Sequence, residues 1–133
     1  MKAIPARVTR GLNVGSYVLA ADNSGAQIVK IVGVKKGKTT KKRQQFAKVS
    51  DWVKVSVRMG KPEMKGVVFD AVVVRQKRIY RRYTGERIAF SDNAVALLKD
   101  EKGNPKGTQI KGPVAREVTE RWPAVAKIAK IVV

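Results

Sequence analysis

The chain has 133 residues, with 29 Lys+Arg against 10 Asp+Glu for a formal net charge of +19, and it contains neither cysteine nor histidine. That length supports one domain whose core buries roughly two thirds of the unfolded surface, while so high a charge in so small a globule calls for a polyanionic partner. The missing residue types exclude disulfides, thiolate nucleophiles, imidazole bases and the common zinc ligand sets, so no catalytic residue, metal or cofactor is expected.

The opening MKAIPARVTR carries no signal-peptide apolar core, amphipathic basic helix or lipid-anchor motif. A soluble, intracellular protein without membrane association is therefore expected. Val-, Ile- and aromatic-rich runs separated by Gly, Asn, Asp and Pro then predict a mostly antiparallel β domain with five main strands. The first is SYVLAA (16–21), and the turn formers Asp22 and Asn23 lead through Gly25 into the second, AQIVKIVGV (26–34). The third, DWVKVSVRM (51–59), places Val53, Val55 and Val57 on one face and Trp52, Lys54, Ser56 and Arg58 on the other, as a half-buried strand does.

GKPEMKG follows as a loop or single helical turn. The fourth strand, VVFDAVVV (67–74), is apolar on both faces apart from Asp70 and belongs at the centre of the sheet. The fifth, RIAFSDNAVALL (87–98), follows the turn Thr84-Gly85, so the two form a long hairpin whose distal half, 75–90, leaves the core with both faces bare. Asp92-Asn93 within it suits a bulge, bonding local backbone. Five short twisted strands with one buried face commonly close into a small barrel.

After Leu98 comes the polar loop KDEKGNPKG, where Asp100 and Glu101 read as a solvated turn, and then a short strand, TQI. Gly112-Pro113 predicts a helix start, with Val114, Val118 and Trp122 as its apolar stripe and Glu117–Arg121 as an i, i+4 pair on the polar side. Pro123 ends that helix and starts a second, PAVAKIAKI, with Val125, Ile128 and Ala129 inward. The expected organisation is one domain over 1–133, a barrel over about 1–110 and a helical region over about 111–133.

GVKKGKTTKKR looks like a phosphate-binding loop after a strand, but Gly33 and Gly37 bracket three residues where that motif needs four, and no apolar helix follows. What remains is charge: Lys35, Lys36, Lys38, Lys41, Lys42 and Arg43, six basic residues in nine. A second segment carries Arg75, Lys77, Arg78, Arg81, Arg82 and Arg87 with Glu86 as its one acid, and arginine forks donate pairwise to phosphate. Tyr80 and Tyr83 either stack on unpaired bases or pack on the hairpin. Two faces alternate along it, Arg75, Lys77, Arg81 and Tyr83 against Arg78, Tyr80 and Arg82, and either could meet nucleic acid. Trp122 is expected in the core, with a protein partner as the alternative, and Trp52 half covered at the barrel's edge.

ADNSGAQIVKIVGV (21–34), AVVVRQKRIYRRYTGERIAFSDNAVALL (71–98) and GTQIKGPVAREV (107–118) together resemble the L-fourteen family of large-subunit ribosomal proteins. The basic loop, GKPEMKG and RWP look like its archaeal and eukaryotic branches, with the archaeal favoured. Thr84-Gly85 stands where bacterial members usually have Asp-Gly. The resemblance implies a five-stranded β-barrel with a projecting β-ribbon and short C-terminal helices, and a non-enzymatic cytoplasmic constituent of the large subunit. It further implies contact with 23S rRNA, bridges to small-subunit 16S rRNA, a neighbouring large-subunit protein three, and an anti-association initiation factor on a C-terminal surface of Pro113, Val114, Arg116, Glu117, Arg121 and Trp122. The competing reading is a free-standing RNA chaperone or translation factor on a barrel of the OB type, which would expose stacking aromatics on a strand face.

Overall fold

The computed structural model describes residues 2–35 and 37–133. In chain order these form β1 (Ala6–Arg7), β2 (Leu12–Asn13), β3 (Tyr17–Ala20), β4 (Ala26–Val34), β5 (Phe46–Ala47), β6 (Trp52–Gly60) and β7 (Val68–Arg75). There follow β8 (Tyr80–Arg82), β9 (Arg87–Ile88), β10 (Ala94–Leu98), β11 (Ile110–Val114), α1 (Arg116–Arg121), α2 (Pro123–Ile128) and β12 (Ala129–Val132).

Strands β3, β4, β6, β7 and β10 close the expected five-stranded barrel. Its neighbours are antiparallel except at the seam, where β10 runs parallel to β3 with Ala94 opposite Leu19 and Val95 opposite Ala20. The barrel interior is filled by alternate residues, among them Val29, Ile31, Val53, Val55, Val57, Val73 and Leu97. Outside, Lys54 meets Asp70 at 2.9 Å across β6 and β7.

A second core explains why β7 is apolar on both faces. Val72 and Val74, with Ala94, Ala96 and Leu98 of β10, face away from the barrel interior and pack under Tyr80, Ile110, Val114, Val118, Trp122 and Val125. The C-terminal region therefore lies on the barrel's outer wall, and Trp122 is core: its Nε1 donates to the Ser50 carbonyl at 3.0 Å and its ring meets Trp52 edge-on, centroids 6.0 Å apart.

Besides the second helix, which stops at Ile128 where Ala129–Val132 become β12, three sequence expectations change. The fifth strand divides into β9 and β10, with Asp92 and Asn93 between them; instead of bonding local backbone, Asn93 Oδ1 accepts from the Lys77 amide across the hairpin at 2.8 Å and Asp92 accepts from the Arg75 side chain. Gly112-Pro113 starts no helix. It lies in β11, which pairs parallel with β12, and α1 begins only at Arg116. The cause is tertiary: Gly112 has φ +79°, and a Cβ there would stand 2.9 Å from Nη1 of Arg75, whose guanidinium occupies the space beside it. Pro113 is tolerated because β11 is an edge strand and its register shifts between Ile110 and Pro113.

The third change concerns the hairpin. Residues 75–90 do not stand free with both faces bare: β8 is the middle strand of a sheet ordered β1–β8–β9, whose inner face packs on the second core through Ala6, Tyr80 and Ile88. Gly85 does hold the tip in the left-handed region, at φ +95°, and its amide donates to the Arg82 carbonyl.

Candidate nucleic-acid interface

Alternation along β8 sorts the basic hairpin residues into two populations with different chemistry. Tyr80 and Arg82 point inward, 1% and 8% exposed. Arg82 donates to both carboxylate oxygens of the buried Glu117, from Nε at 2.7 Å and Nη2 at 3.2 Å, and Nη2 also donates to the Val133 carbonyl. The Tyr80 hydroxyl donates to Glu117 at 2.9 Å. Burial, reinforced by the Glu117 charge and that hydrogen bond, holds the phenol far above its ordinary pKa, so Tyr80 stays neutral. This triad fastens the ribbon to α1 and the C-terminus.

Arg75 is likewise internal. Its fork donates to both oxygens of Asp92 at 2.8 and 3.2 Å, and Nη1 donates to the carbonyls of Lys111 and Pro113. Arg75, Tyr80 and Arg82 are thus removed from the expected nucleic-acid surface, because their donors are already engaged by the protein. A sequence cannot reveal this when the partners lie 17 to 51 residues away along the chain.

The outer face is different. Register places Arg7 of β1 opposite Arg81 of β8, and Arg81 opposite Arg87 of β9. Three exposed arginines therefore stand side by side on three adjacent strands, and none lies within 4.0 Å of a carboxylate among the described residues. Directly opposed like charges destabilise a sheet, so nothing in the fold's own stability favours this row. Lys77 and Arg78 are exposed nearby, Tyr83 at the tip is 87% exposed, and Arg7 and Arg10 flank Arg78 in one shallow depression.

Arg7 and Arg10 were not among the expected residues. Their signal was present: Ala6 and Val8 alternate with Arg7 in a short strand pattern, which only the pairing with β8 makes decisive.

In the basic loop, Lys38, Lys41, Lys42 and Arg43 are exposed, Lys35 is partly covered, and Lys36 lies outside the described residues. The loop is anchored rather than free: Gln45 accepts from the Val34 amide and donates to the Gly37 carbonyl, and Gln44 donates to the Val14 carbonyl. The Gly37 amide donates to the Val34 carbonyl, and among the described residues no helix directly follows.

The expected protein-partner surface needs correction. Val114, Glu117 and Trp122 are buried in the second core. Arg121 is largely covered; its side chain bonds the Lys2 and Ser50 carbonyls and lies 3.7 Å from Asp51, so the Glu117–Arg121 pair does not form. Arg116 is exposed and Pro113 partly so, beside an apolar C-terminal strip of Ile131, Val132 and Val133.

Among the described residues no cluster of three or more His, Cys, Asp or Glu could hold a metal, and no helix is long and apolar enough to cross a membrane. On the barrel strands Tyr17 is the exposed aromatic, where a free-standing base-stacking barrel would present several.

Residues 11–133 match the family model described as ribosomal protein L14p/L23e. The chain is also similar to the large ribosomal subunit protein uL14 of the archaeon Nanoarchaeum equitans, 58% identical over the full length of both chains. Its counterpart in Methanothrix thermoacetophila is 47% identical, again over the full length of both. A barrel sealed by a parallel seam, a ribbon with one arginine face and a match across nearly every residue together place this chain in the ribosomal protein L14p/L23e family.

Proposed function

We propose that this protein is a structural, non-enzymatic constituent of the large ribosomal subunit in the cytoplasm, and that it binds 23S rRNA through the outer face of its ribbon and its basic loop. The row Arg7–Arg81–Arg87 carries the reading, since a like-charge row that costs stability is accounted for by a ligand that neutralises it. Neighbouring strands are about 4.8 Å apart, so long guanidinium arms spread from this row can each take a separate phosphate. Lys38, Lys41, Lys42 and Arg43 extend the cationic surface, with Lys77, Arg78 and Tyr83 beside the row. The mechanism is neutralisation and positioning: phosphate contacts fix register and orientation without reading sequence.

Bridges to 16S rRNA, contact with large-subunit protein three and docking of an anti-association factor belong to the same proposal. For the last, the available residues are Arg116, Pro113 and the Ile131–Val133 strip.

The test is the salt dependence of binding to a 23S rRNA fragment. Six or more neutralised phosphates require a log–log slope of about −4 or steeper. A salt-insensitive affinity, or release of the protein from large subunits at moderate salt during sedimentation, would overturn the reading.

A further inference from the structure

Between the basic loop and the barrel lies a cavity of about 400 Å³, within the size range of small-ligand sites. Two of its walls are aromatic, Phe46 and Trp52, and each carries a cation on its face: the Arg10 guanidinium stands 3.9 Å from the Phe46 centroid and the Lys35 ammonium 4.5 Å from that of Trp52. Lys38 and Arg43 also line it, against Asp51 as its carboxylate. The walls are held in place. Trp52 packs edge-on against buried Trp122, Phe46 sits in β5 opposite Asn13, and the bonds of Gln44 and Gln45 pin the loop.

Two buried polar atoms of the lining, Trp52 Nε1 and Thr39 Oγ1, have no hydrogen-bond partner among the described residues. A guanidinium laid over an aromatic wall suits a planar ring, and the cationic rim suits a phosphate.

We propose that this cavity takes one unpaired base of the bound RNA, stacked against the Arg10 guanidinium that lies over Phe46, with the flanking phosphates on Lys35, Lys38 and Arg43. It would add base contact to an interface otherwise made to phosphate, since a duplex keeps its bases stacked and only a bulged or looped nucleotide can enter. The inference rests on the nucleic-acid reading above and adds one site to it.

The experiment compares hexaadenylate, an abasic ribose-phosphate hexamer of the same length, and AMP. Binding is followed by tryptophan fluorescence of a Trp122→Phe variant, which leaves Trp52 as the sole reporter, and by anisotropy of labelled hexamers on the unaltered protein. Stacking of one base predicts affinity for hexaadenylate about five- to 150-fold above that for the abasic hexamer, with Trp52 quenched only by the former. Phe46→Leu should erase that difference. If Trp122→Phe does not fold, the anisotropy comparison and the Phe46→Leu variant still decide.

Equal affinity for the two hexamers without quenching would overturn the base site and leave phosphate binding standing. Quenching by AMP with no preference between hexamers would overturn it in favour of a free-nucleotide pocket. Failure of both hexamers to bind at low salt would overturn the underlying nucleic-acid reading as well.

Discussion

Arg81 and Arg82 are adjacent, chemically identical and expected to fail in opposite ways when truncated. Arg82→Ala leaves the Glu117 carboxylate, 5% exposed, with the Tyr80 hydroxyl as its remaining side-chain donor, and releases the Val133 carbonyl as well. Breaking a buried pair by removing one partner costs about 3–5 kcal/mol. For a domain of this size each kcal/mol moves the midpoint by about 3–5 °C, so the Tm should fall by roughly 10–25 °C. Arg81→Ala removes one member of the like-charge row instead, so stability should stay within about 0.5 kcal/mol. Its affinity for an rRNA fragment should drop, with the salt slope shallower by about 0.7–0.9 for one lost phosphate. Differential scanning calorimetry and a salt titration on both variants supply the two readouts. Equal Tm values for the two, or loss of RNA affinity in a still-folded Arg82→Ala that matches that of Arg81→Ala, would refute the division of the ribbon into an inner structural and an outer binding face.

Arg75→Lys should cost at least about 2 kcal/mol in urea unfolding, because a point charge cannot serve Asp92, Lys111 and Pro113 together. Gly112→Ala should lose about 1–2 kcal/mol for its left-handed backbone alone, and more where the new methyl displaces the Arg75 guanidinium. Asp22 is buried, and desolvation outweighs its bonds from Ser24 and the Leu97 amide to raise its pKa. A raised folded pKa gives stability that is full below the unfolded value of about 3.9 and lost as pH rises through the folded one. The stability of the native protein relative to Asp22→Asn should therefore increase from pH 7 to about pH 3, and a flat difference would show that the carboxyl is not penalised by burial. Replacing Lys38, Lys41, Lys42 and Arg43 together by alanine should leave urea unfolding nearly unchanged, since all four are exposed, while the salt slope of RNA binding becomes shallower by about 3.

Much of the fold was legible because its signals are local. The alternation of Val53, Val55 and Val57 with Lys54 and Ser56 needs only the period of a strand, and β4 spans the same residues, Ala26–Val34, that the periodicity marked. Pro123 at the first position of α2 is equally local. The doubly apolar β7 announced burial on both faces, although not that the second cover would combine the ribbon, β11 and the C-terminal helices.

By itself the sequence determined the β class, the barrel strands, the absence of thiol and imidazole chemistry, and a cationic surplus that only a polyanion can balance. Tertiary structure decided which cations remain for that partner. Arg82 and Arg81 differ only by the parity that β8 acquires when Tyr80 and Ile88 find the second core, and Arg75 is internal only because Asp92 and the β11 carbonyls arrive beside it. The same pairing brings Arg7 from the far N-terminus into line with Arg81 and Arg87. Charge is a property of composition, but its availability depends on which neighbours desolvate and pair it, and those are set by contacts between distant parts of the chain.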